Sequence, residues 1–388
     1  MSEGAVVPAQ GSSAGADPAT RGRRALSFVS PGLPQLLDGR WRVGVPTLLV
    51  WVGLLTVLAS RTTRVVDGLG GAWDQRLAIL TLLVGLAGVW FWSWRDVVRP
   101  SPIRGEGLSQ PLLVARAFFQ NQVAVVGLAV ILGLYLVALI APLITPADPT
   151  LPGHLVDDRL LRPSATHLFG TDHLSRDVLS RLLYGARISL TIGLVAVGIS
   201  VTIGTLLGAI AGYVGGAVDS VIMRGVDVVI SFPRVVILIT VLAFFGSSFL
   251  LMIMVLGLTL WPNTARLVRG ETLSLRERQF IKAAEALGYS KLRIILRHVI
   301  PNVMGPVIVA ATLGIGDTII LESGLSFLGL GVSAPTPSWG SMIADGRDHM
   351  FDAWWLTTFP GLCIVLTVLS FNLIGDGLRD ALDPHLRS

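Results

Sequence analysis

Residues Ile188–Val218 read ISLTIGLVAVGISVTIGTLLGAIAGYVGGAV and contain no charged side chain. A helix of about 20 apolar residues crosses the hydrocarbon core of a bilayer. In lipid, a single segment can satisfy its own backbone polar groups only as a helix. Gly193, Gly198, Gly204, Gly208 and Gly212 mark this one for close packing against a neighbour, because small residues let membrane helices approach. The expectation is a membrane span, and the rest of the chain repeats the pattern.

Uncharged runs at Val43–Ser60 and Leu77–Trp94 are each long enough for one span. Ala117–Ala147 holds one, starting near Val123 and ending by Pro142. Val299–Gly316 is another, extending over Asp317 towards Glu322, and Ala353–Gly375 is the last. Val235–Ala265 is long for one span and short for two. A tight turn at Gly246-Ser247-Ser248 resolves it, with the first helix starting near Val228 and Arg234 snorkelling to the interface. The expected fold is therefore all-α and polytopic, with eight spans.

Composition agrees. Of the 388 residues, 52% are hydrophobic and 14% charged, against about 25% charged in a soluble domain, so too little polar surface exists to cover a globule in water. The net charge of +5 and pI near 10 invite a nucleic-acid reading. But 28 of the 30 basic residues are Arg set between apolar runs, with no basic stripe interleaved with aromatics. Cys363 is the one cysteine, so neither a disulfide framework nor a cysteine metal site can form within the chain, and it reads as a small buried apolar side chain. The first 24 residues, rich in Gly, Ala, Ser and Pro, lack a signal-peptide h-region and read as a disordered tail.

Charge sets the orientation. Arg21, Arg23, Arg24, Arg40 and Arg42 precede the first span, and Arg95, Arg99, Arg104 and Arg116 follow the second. Arg266–Arg297 carries eight basic residues against Glu271, Glu277 and Glu285. With eight spans all three lie on one side, which the positive-inside rule makes the cytoplasm. Both termini are then cytoplasmic, and Asp148–Arg187 and Ser323–Asp352 lie outside.

The loop Arg276–Pro301 reads RERQFIKAAEALGYSKLRIILRHVIP. Phe280, Ala283, Ala284 and Leu287 form one helical stripe, and Gly288 follows where a left-handed residue ends a helix. Ser290 is placed to cap a second helix, with Leu292, Ile295, Leu296 and Val299 at the same spacing, before Pro301 and Pro306. Such helices could lie on lipid or dock on a partner. The small Ala283 and Ala284 favour docking.

Lys282-Ala283-Ala284-x-x-x-Gly288 followed by Ile300-Pro301 resembles the EAA loop of importer-type ABC permeases, which docks on the ATPase subunit. FGTDHLSRDVLSRLLYGARISL (Phe169–Leu190), AGYVGGAVDSVIMRGVDVVISFP (Ala211–Pro233), RHVIPN (Arg297–Asn302), ESGLSFLGLGVSAPTPSWG (Glu322–Gly340) and FNLIGDGLRDALDP (Phe371–Pro384) extend the likeness. Five blocks in order, over about residues 110–388, resemble the C-type permease of dipeptide, oligopeptide and nickel importers. Two positions depart: Lys282 stands where the motif has Glu, with Glu285 three residues on, and Ser175 stands where Gly is usual.

The resemblance implies a six-span permease core over residues 117–376, with its ATPase-coupling loop at 266–300 and a cytoplasmic tail at 377–388. Ahead of it lie a cytoplasmic tail (1–42), an accessory two-span hairpin (43–94) and a cytoplasmic link (95–116). The coupling residues would be Phe280, Lys282, Ala283, Ala284, Glu285, Leu287, Gly288 and Pro301. The implied partners are a second, B-type permease, two ATP-binding subunits and an extracytoplasmic substrate-binding protein, in the inner (plasma) membrane of a prokaryote. The implied mechanism is alternating access, with ATP and Mg on the partner ATPases and no cofactor on this chain. The residues agree, since no Walker A motif and no HExxH occur. An ion-driven secondary transporter is the rival, but no inverted repeat appears. An embedded enzyme lacks any nucleophile–base constellation.

Other ionisable residues invite roles of their own. Asp172, Arg176 and Asp177 suit salt links and helix caps better than catalysis or a metal. Asp317 and Glu322, at or near the end of a span, invite a transport-pathway role, and Glu322, near the outer interface, fits an interfacial cap as well. Arg224 lies five residues after Asp219 and three before Asp227, so a helical ion pair is available to the latter. Asp376 belongs to the last family-like block.

Overall fold

The computed structural model describes residues 30–37, 41–62, 64–65, 72–98, 110–153 and 158–382. The N-terminal tail through residue 29, most of the connection at 63–71, residues 99–109 of the cytoplasmic link and the terminus 383–388 lie outside the described residues. Helices are α1 (Leu33–Leu37), α2 (Trp41–Ser60), α3 (Trp73–Val98), α4 (Gln110–Gln120), α5 (Gln122–Ile144), α6 (Val178–Val214), α7 (Gly216–Ser231), α8 (Arg234–Phe245), α9 (Phe249–Arg276), α10 (Gln279–Ala286), α11 (Lys291–Ile294), α12 (Ile300–Leu325), α13 (Trp339–Gly346) and α14 (Trp355–Leu382). No strand forms among the described residues.

Seven helical stretches are long and apolar enough to span a membrane, and α7 with α8 form a bent pair. The count reaches eight only if that pair is one span. The expected turn at Gly246-Ser247-Ser248 is present: Gly246 has φ +78° and Ser248 caps α9, accepting from the Leu251 N–H. The helix expected from Val228 is not continuous. It breaks at Phe232-Pro233 with a bend of 78°. Proline disfavours helical geometry in the residue before it, and Phe232 is extended (φ −96°, ψ 136°). Arg234 does not snorkel freely, because its Nε and Nη2 are buried with no hydrogen-bond partner.

The chain divides into two compact units, the first holding residues 1–106 with Pro142–Ile144 and the second the remainder. In the first, the buried Gln35 side chain donates to the Ser93 carbonyl (3.3 Å) and hydroxyl (3.2 Å), tying α1 to α3. Leu54 on α2 lies beside Gly85 on α3.

In the second unit, α6 starts ten residues before the uncharged run and ends at Gly215 (φ +69°). Three of its five expected packing glycines meet α9, while Gly193 meets Ile319 of α12 and Gly198 faces open space. A Cβ at Gly204 would lie 2.5 Å from Thr264 Cβ, at Gly208 2.5 Å from the Ala265 carbonyl, and at Gly212 2.7 Å from Thr272 Cβ. Close backbone approach of this kind is how membrane helices gain packing without a hydrophobic driving force. One apolar core joins α5, α6, α12, α13 and α14 around Leu190, Ile319, Trp339 and Trp355. A second packs Leu238 and Leu242 of α8 against Ile192, Leu256 and Leu325. A third, around Tyr213, Val268, Ile281 and Val299, holds the loop after α9.

Candidate functional site

The loop after α9 is a helix–turn–helix, with one correction. The second helix is not a short separate element. α11 runs through a π-helical turn (Ile295–Val299) straight into α12. Pro301 lies at this junction, as the second residue of α12. The turn itself is as expected: Gly288 has φ +76°, its N–H donates to the Glu285 carbonyl at 2.9 Å, and the Tyr289 N–H donates to the Ala284 carbonyl at 3.1 Å. Ser290 caps α11, accepting from the Arg293 N–H.

The expected four-residue stripe on α10 splits. Ala284 turns inward with Ile281, both buried in the core that holds Tyr213, Ile294 and Val299. Phe280, Ala283 and Leu287 remain outward, and Leu287 is 73% exposed. On the second helix Ile295 and Val299 are buried while Leu292 and Leu296 are exposed, so that stripe divides too. Pro301 is exposed. The inner face clamps α10 to its own chain and leaves the outer face open.

Glu285 accepts a 2.8 Å hydrogen bond from the Tyr213 hydroxyl at the end of α6. Lys282 reaches back to Glu277 at 2.9 Å. Arg293 stacks over the Tyr289 ring at 5.3 Å, and Tyr289 stacks on His298. On the same half of the molecule Asp219 receives Arg269 through two bonds of 2.6 and 2.7 Å, and Asp227 receives Arg266 at 2.6 Å. The acids of α7 are thus held by α9, and Asp227 pairs with Arg266 rather than with the available Arg224.

Asp172, Arg176 and Asp177 are all buried, between the end of α5 and the start of α6. Asp177 caps α6, accepting from the Ser180 N–H (2.8 Å) and hydroxyl (2.9 Å). Asp172 accepts from the Leu174 and Arg176 N–H groups (2.9 and 2.8 Å), from Arg176 Nε at 2.7 Å and from Arg181 Nη1. Arg181 Nη2 also donates to Asp345 on α13 at 2.9 Å, with Arg176 Nη2 at 3.5 Å. Burial alone would raise the Asp172 carboxyl, but Arg181, the Arg176 N–H and the Arg176 guanidinium outweigh it and hold it below the ordinary carboxylate range. Ser175 adopts φ +61°, a conformation that suits glycine.

Glu322 and Asp317 part company. Glu322 is fully buried and accepts from Ser326 (2.8 Å), Ser338 (2.9 Å), Ser189 and Ser323 (3.5 Å each). The Trp339 N–H donates to Ser189 at 3.1 Å, so one carboxyl ties α6, α12 and α13 together. Its side chain is enclosed by these hydroxyls within the chain rather than exposed. Asp317 is exposed on α12, and its charge acts on Arg234 without an ion pair forming. Asp376 is exposed on α14.

Sequence reading passed over Tyr213, Ser189, Ser338, Arg181 and Asp345. The partners are remote along the chain, so no spacing could pair them. Arg181, four residues beyond Asp177 at the head of a span, was the one visible signal.

A bundle of apolar helices, seven stretches of it long enough to span a membrane and packed on glycines, defines a multi-pass membrane protein. Residues 204–388 match the family described as binding-protein-dependent transport system inner membrane component, and residues 110–163 match the N-terminal TM domain of oligopeptide transport permease C. The chain is 45% identical over 271 residues to the dipeptide transport system permease protein DppC of Alkalihalophilus pseudofirmus, covering 69% of this chain and 88% of that protein. It is 40% identical over 304 residues to the oligopeptide transport system permease protein OppC of Haemophilus influenzae, covering 75% and 93%. A chain of the MetNI methionine ABC transporter superposes with a TM-score of 0.43 at 17% identity, covering 52% of this chain and 97% of that one. The chain belongs to the binding-protein-dependent, ABC-importer permease family, and the relatives are permease proteins.

Proposed function

We propose that this chain is the C-type permease subunit of an importer of short peptides. It would work with a B-type permease, two ATP-binding subunits that hold the ATP and Mg²⁺, and an extracytoplasmic binding protein. The observation that carries this reading is the outward face of α10, Phe280, Ala283 and Leu287, on a helix clamped from behind by Ile281 and Ala284. A clamped helix with an open apolar face can transmit a push, whereas a loose one would absorb it. Because α11 continues into α12, movement at the loop is carried directly into a span. Glu285, held by Tyr213, couples the same loop to α6.

The loop would lie in the cytoplasm, with Asp148–Arg187 and Ser323–Asp352 outside, in a prokaryotic inner membrane. Single cysteines in a Cys363→Ala background test this. Ser333→Cys, on an exposed residue, should label with an impermeant reagent in intact cells, and Ser274→Cys should not. The function is tested by reconstituting the assembled complex in proteoliposomes with labelled dialanine. Uptake should require ATP and the binding protein. Uptake driven by an ion gradient without ATP would place the chain among secondary transporters instead.

A further inference from the structure

Next to the ion-pair network, a cavity of about 310 Å³ opens between the start of α6, the turn Gly329–Thr336 and α13. Its lining includes His173, Arg176, Arg181, Thr336 and Asp345. This is at the small end of pockets that hold ligands, roughly 300–1,000 Å³. Arg176 and Arg181 are both about 95% buried, and Arg181 Nε, like His173 Nδ1, is buried with no hydrogen-bond partner. Buried polar atoms are nearly always paired, so such orphans call for an explanation. Asp345, by contrast, is 36% exposed at the cavity.

The charges in the wall cancel. Arg176 and Arg181 face Asp172 and Asp345, and burial holds the His173 imidazole below its ordinary value against the pull of Asp172 and Asp345, favouring its neutral form. A simple anion would meet Asp345, and a simple cation would meet the two guanidinium groups. A solute with both charges, separated and net neutral, meets neither penalty.

We propose that this cavity binds short zwitterionic peptides, taking the carboxylate on the Arg181–His173 side and the ammonium at Asp345. The inference rests on the peptide reading above and adds a recognition site within the permease itself. Thr336 also lines the cavity, whereas the Ser326, Ser333 and Ser341 hydroxyls in its wall are already bonded to Glu322, the Ser247 carbonyl and Ser338. The volume suits two or three residues and leaves longer chains protruding.

The test is equilibrium binding of radiolabelled dialanine to the assembled permease–ATPase complex in nanodiscs, without binding protein. Saturable binding is expected. It should weaken about tenfold when either terminus is blocked, by N-acetylation or amidation, through loss of a charge-assisted contact. Thr336→Trp, which fills the cavity while leaving the ion pairs intact, should weaken it as much, and assembly of that variant is checked by co-purification of the ATPases. Equal binding of blocked and free dialanine, or binding unchanged by Thr336→Trp, overturns the proposal. So does absence of saturable binding in a complex that, given binding protein, still transports dialanine. If no peptide is transported at all, the peptide-importer reading fails, and the cavity is still decided by the dialanine and Thr336→Trp binding results.

Discussion

The Tyr213 hydroxyl, in the last turn of α6, donates a 2.8 Å hydrogen bond to Glu285 on α10. A span 37 residues long is thereby joined to the eight-residue helix whose outer face stands open. Tyr213 is buried, whereas Glu285 is exposed and keeps water as an alternative partner. The bond is therefore worth about 1 kcal/mol, below the range for fully buried charged hydrogen bonds. Tyr213→Phe should leave assembly intact and lower ligand-stimulated ATP hydrolysis several-fold. If stimulated hydrolysis in the reconstituted Tyr213→Phe complex matches wild type, the link plays no part in coupling.

Gly288 separates backbone conformation from packing. Its φ is +76°, and a Cβ built there meets nothing within 4 Å. Any cost of a side chain is thus backbone strain, about 1–2 kcal/mol. Gly288→Val should weaken coupled hydrolysis, and Gly288→Asn, which tolerates the left-handed region, should restore most of it. Equal activity of the Val and Asn variants would remove the turn from the mechanism.

The α6–α9 contact offers a matched pair. Gly208→Ala adds a methyl 2.5 Å from the Ala265 carbonyl, while Gly198→Ala adds the same methyl to open space. Overpacking of a tight contact costs about 1–3 kcal/mol, and alanine otherwise favours a helix. Thermal unfolding of the purified protein in detergent should show a lowered Tm for Gly208→Ala and none for Gly198→Ala. A similar Tm for both would mean that the glycines do not hold the helices together.

The ion-pair network around Asp172 should be acid-sensitive in a defined direction. Asp172 titrates lower in the folded chain than in the unfolded one, where about 3.9 applies. Its contribution is complete above that value and is lost as pH falls through the folded one. Stability should therefore be flat in this respect from neutral pH to about 5 and fall below about 4. Asp172→Asn leaves Arg176 and Arg181 short of a buried counter-charge, at a cost of about 3–5 kcal/mol near neutral pH. That deficit should shrink as the wild type is acidified. A deficit that is constant from pH 7 to pH 3 would show that charge is not what Asp172 supplies.

Much of this architecture was legible because membrane physics writes long signals. The runs Val43–Ser60, Leu77–Trp94 and Ile188–Val218 needed only length and the absence of charge, and the Gly204–Gly208–Gly212 period needed only a helix. The turn at Gly246 and the left-handed Gly288 were readable from residue type. What stayed hidden was azimuth and long-range pairing. Ala284 fits a stripe with Phe280 and Leu287 by spacing, yet lies inward with Ile281, because helix orientation is set by Tyr213 and Val299 from elsewhere in the chain. The break at Phe232-Pro233 was visible as a proline, but apolar length argued for continuity and prevailed wrongly. Glu322 looked interfacial because it closes a span, and only the fold brings Ser189 and Ser338 to it.

The last prediction concerns α2 and α3. The family matches begin at residue 110, and these helices belong to the first compact unit, whose internal ties include Gln35 to Ser93 and Leu54 to Gly85. Of the residues in the apolar stretch of α2 only 11% are buried; in α3 the share is 28%, the same as in the core span α5. Their connection carries Arg61, Arg64 and Arg76 against Asp67 and Asp74, so a mildly basic link faces outward in the proposed orientation. The strongly basic flanks at Arg21–Arg42 and Arg95–Arg116 are sufficient to impose it. A hairpin with its own ties, mostly exposed and outside the matched core, has the attributes of an accessory element. Deleting residues 1–105, with a new initiator Met, should leave a permease that inserts, retains its ATPases and takes up dialanine at a rate within about twofold of wild type, a difference of under 0.5 kcal/mol in the limiting barrier. Insertion is checked by Ser274→Cys and Ser333→Cys labelling in the truncated chain. A truncated protein that inserts and assembles but no longer transports would make the hairpin part of the transport mechanism.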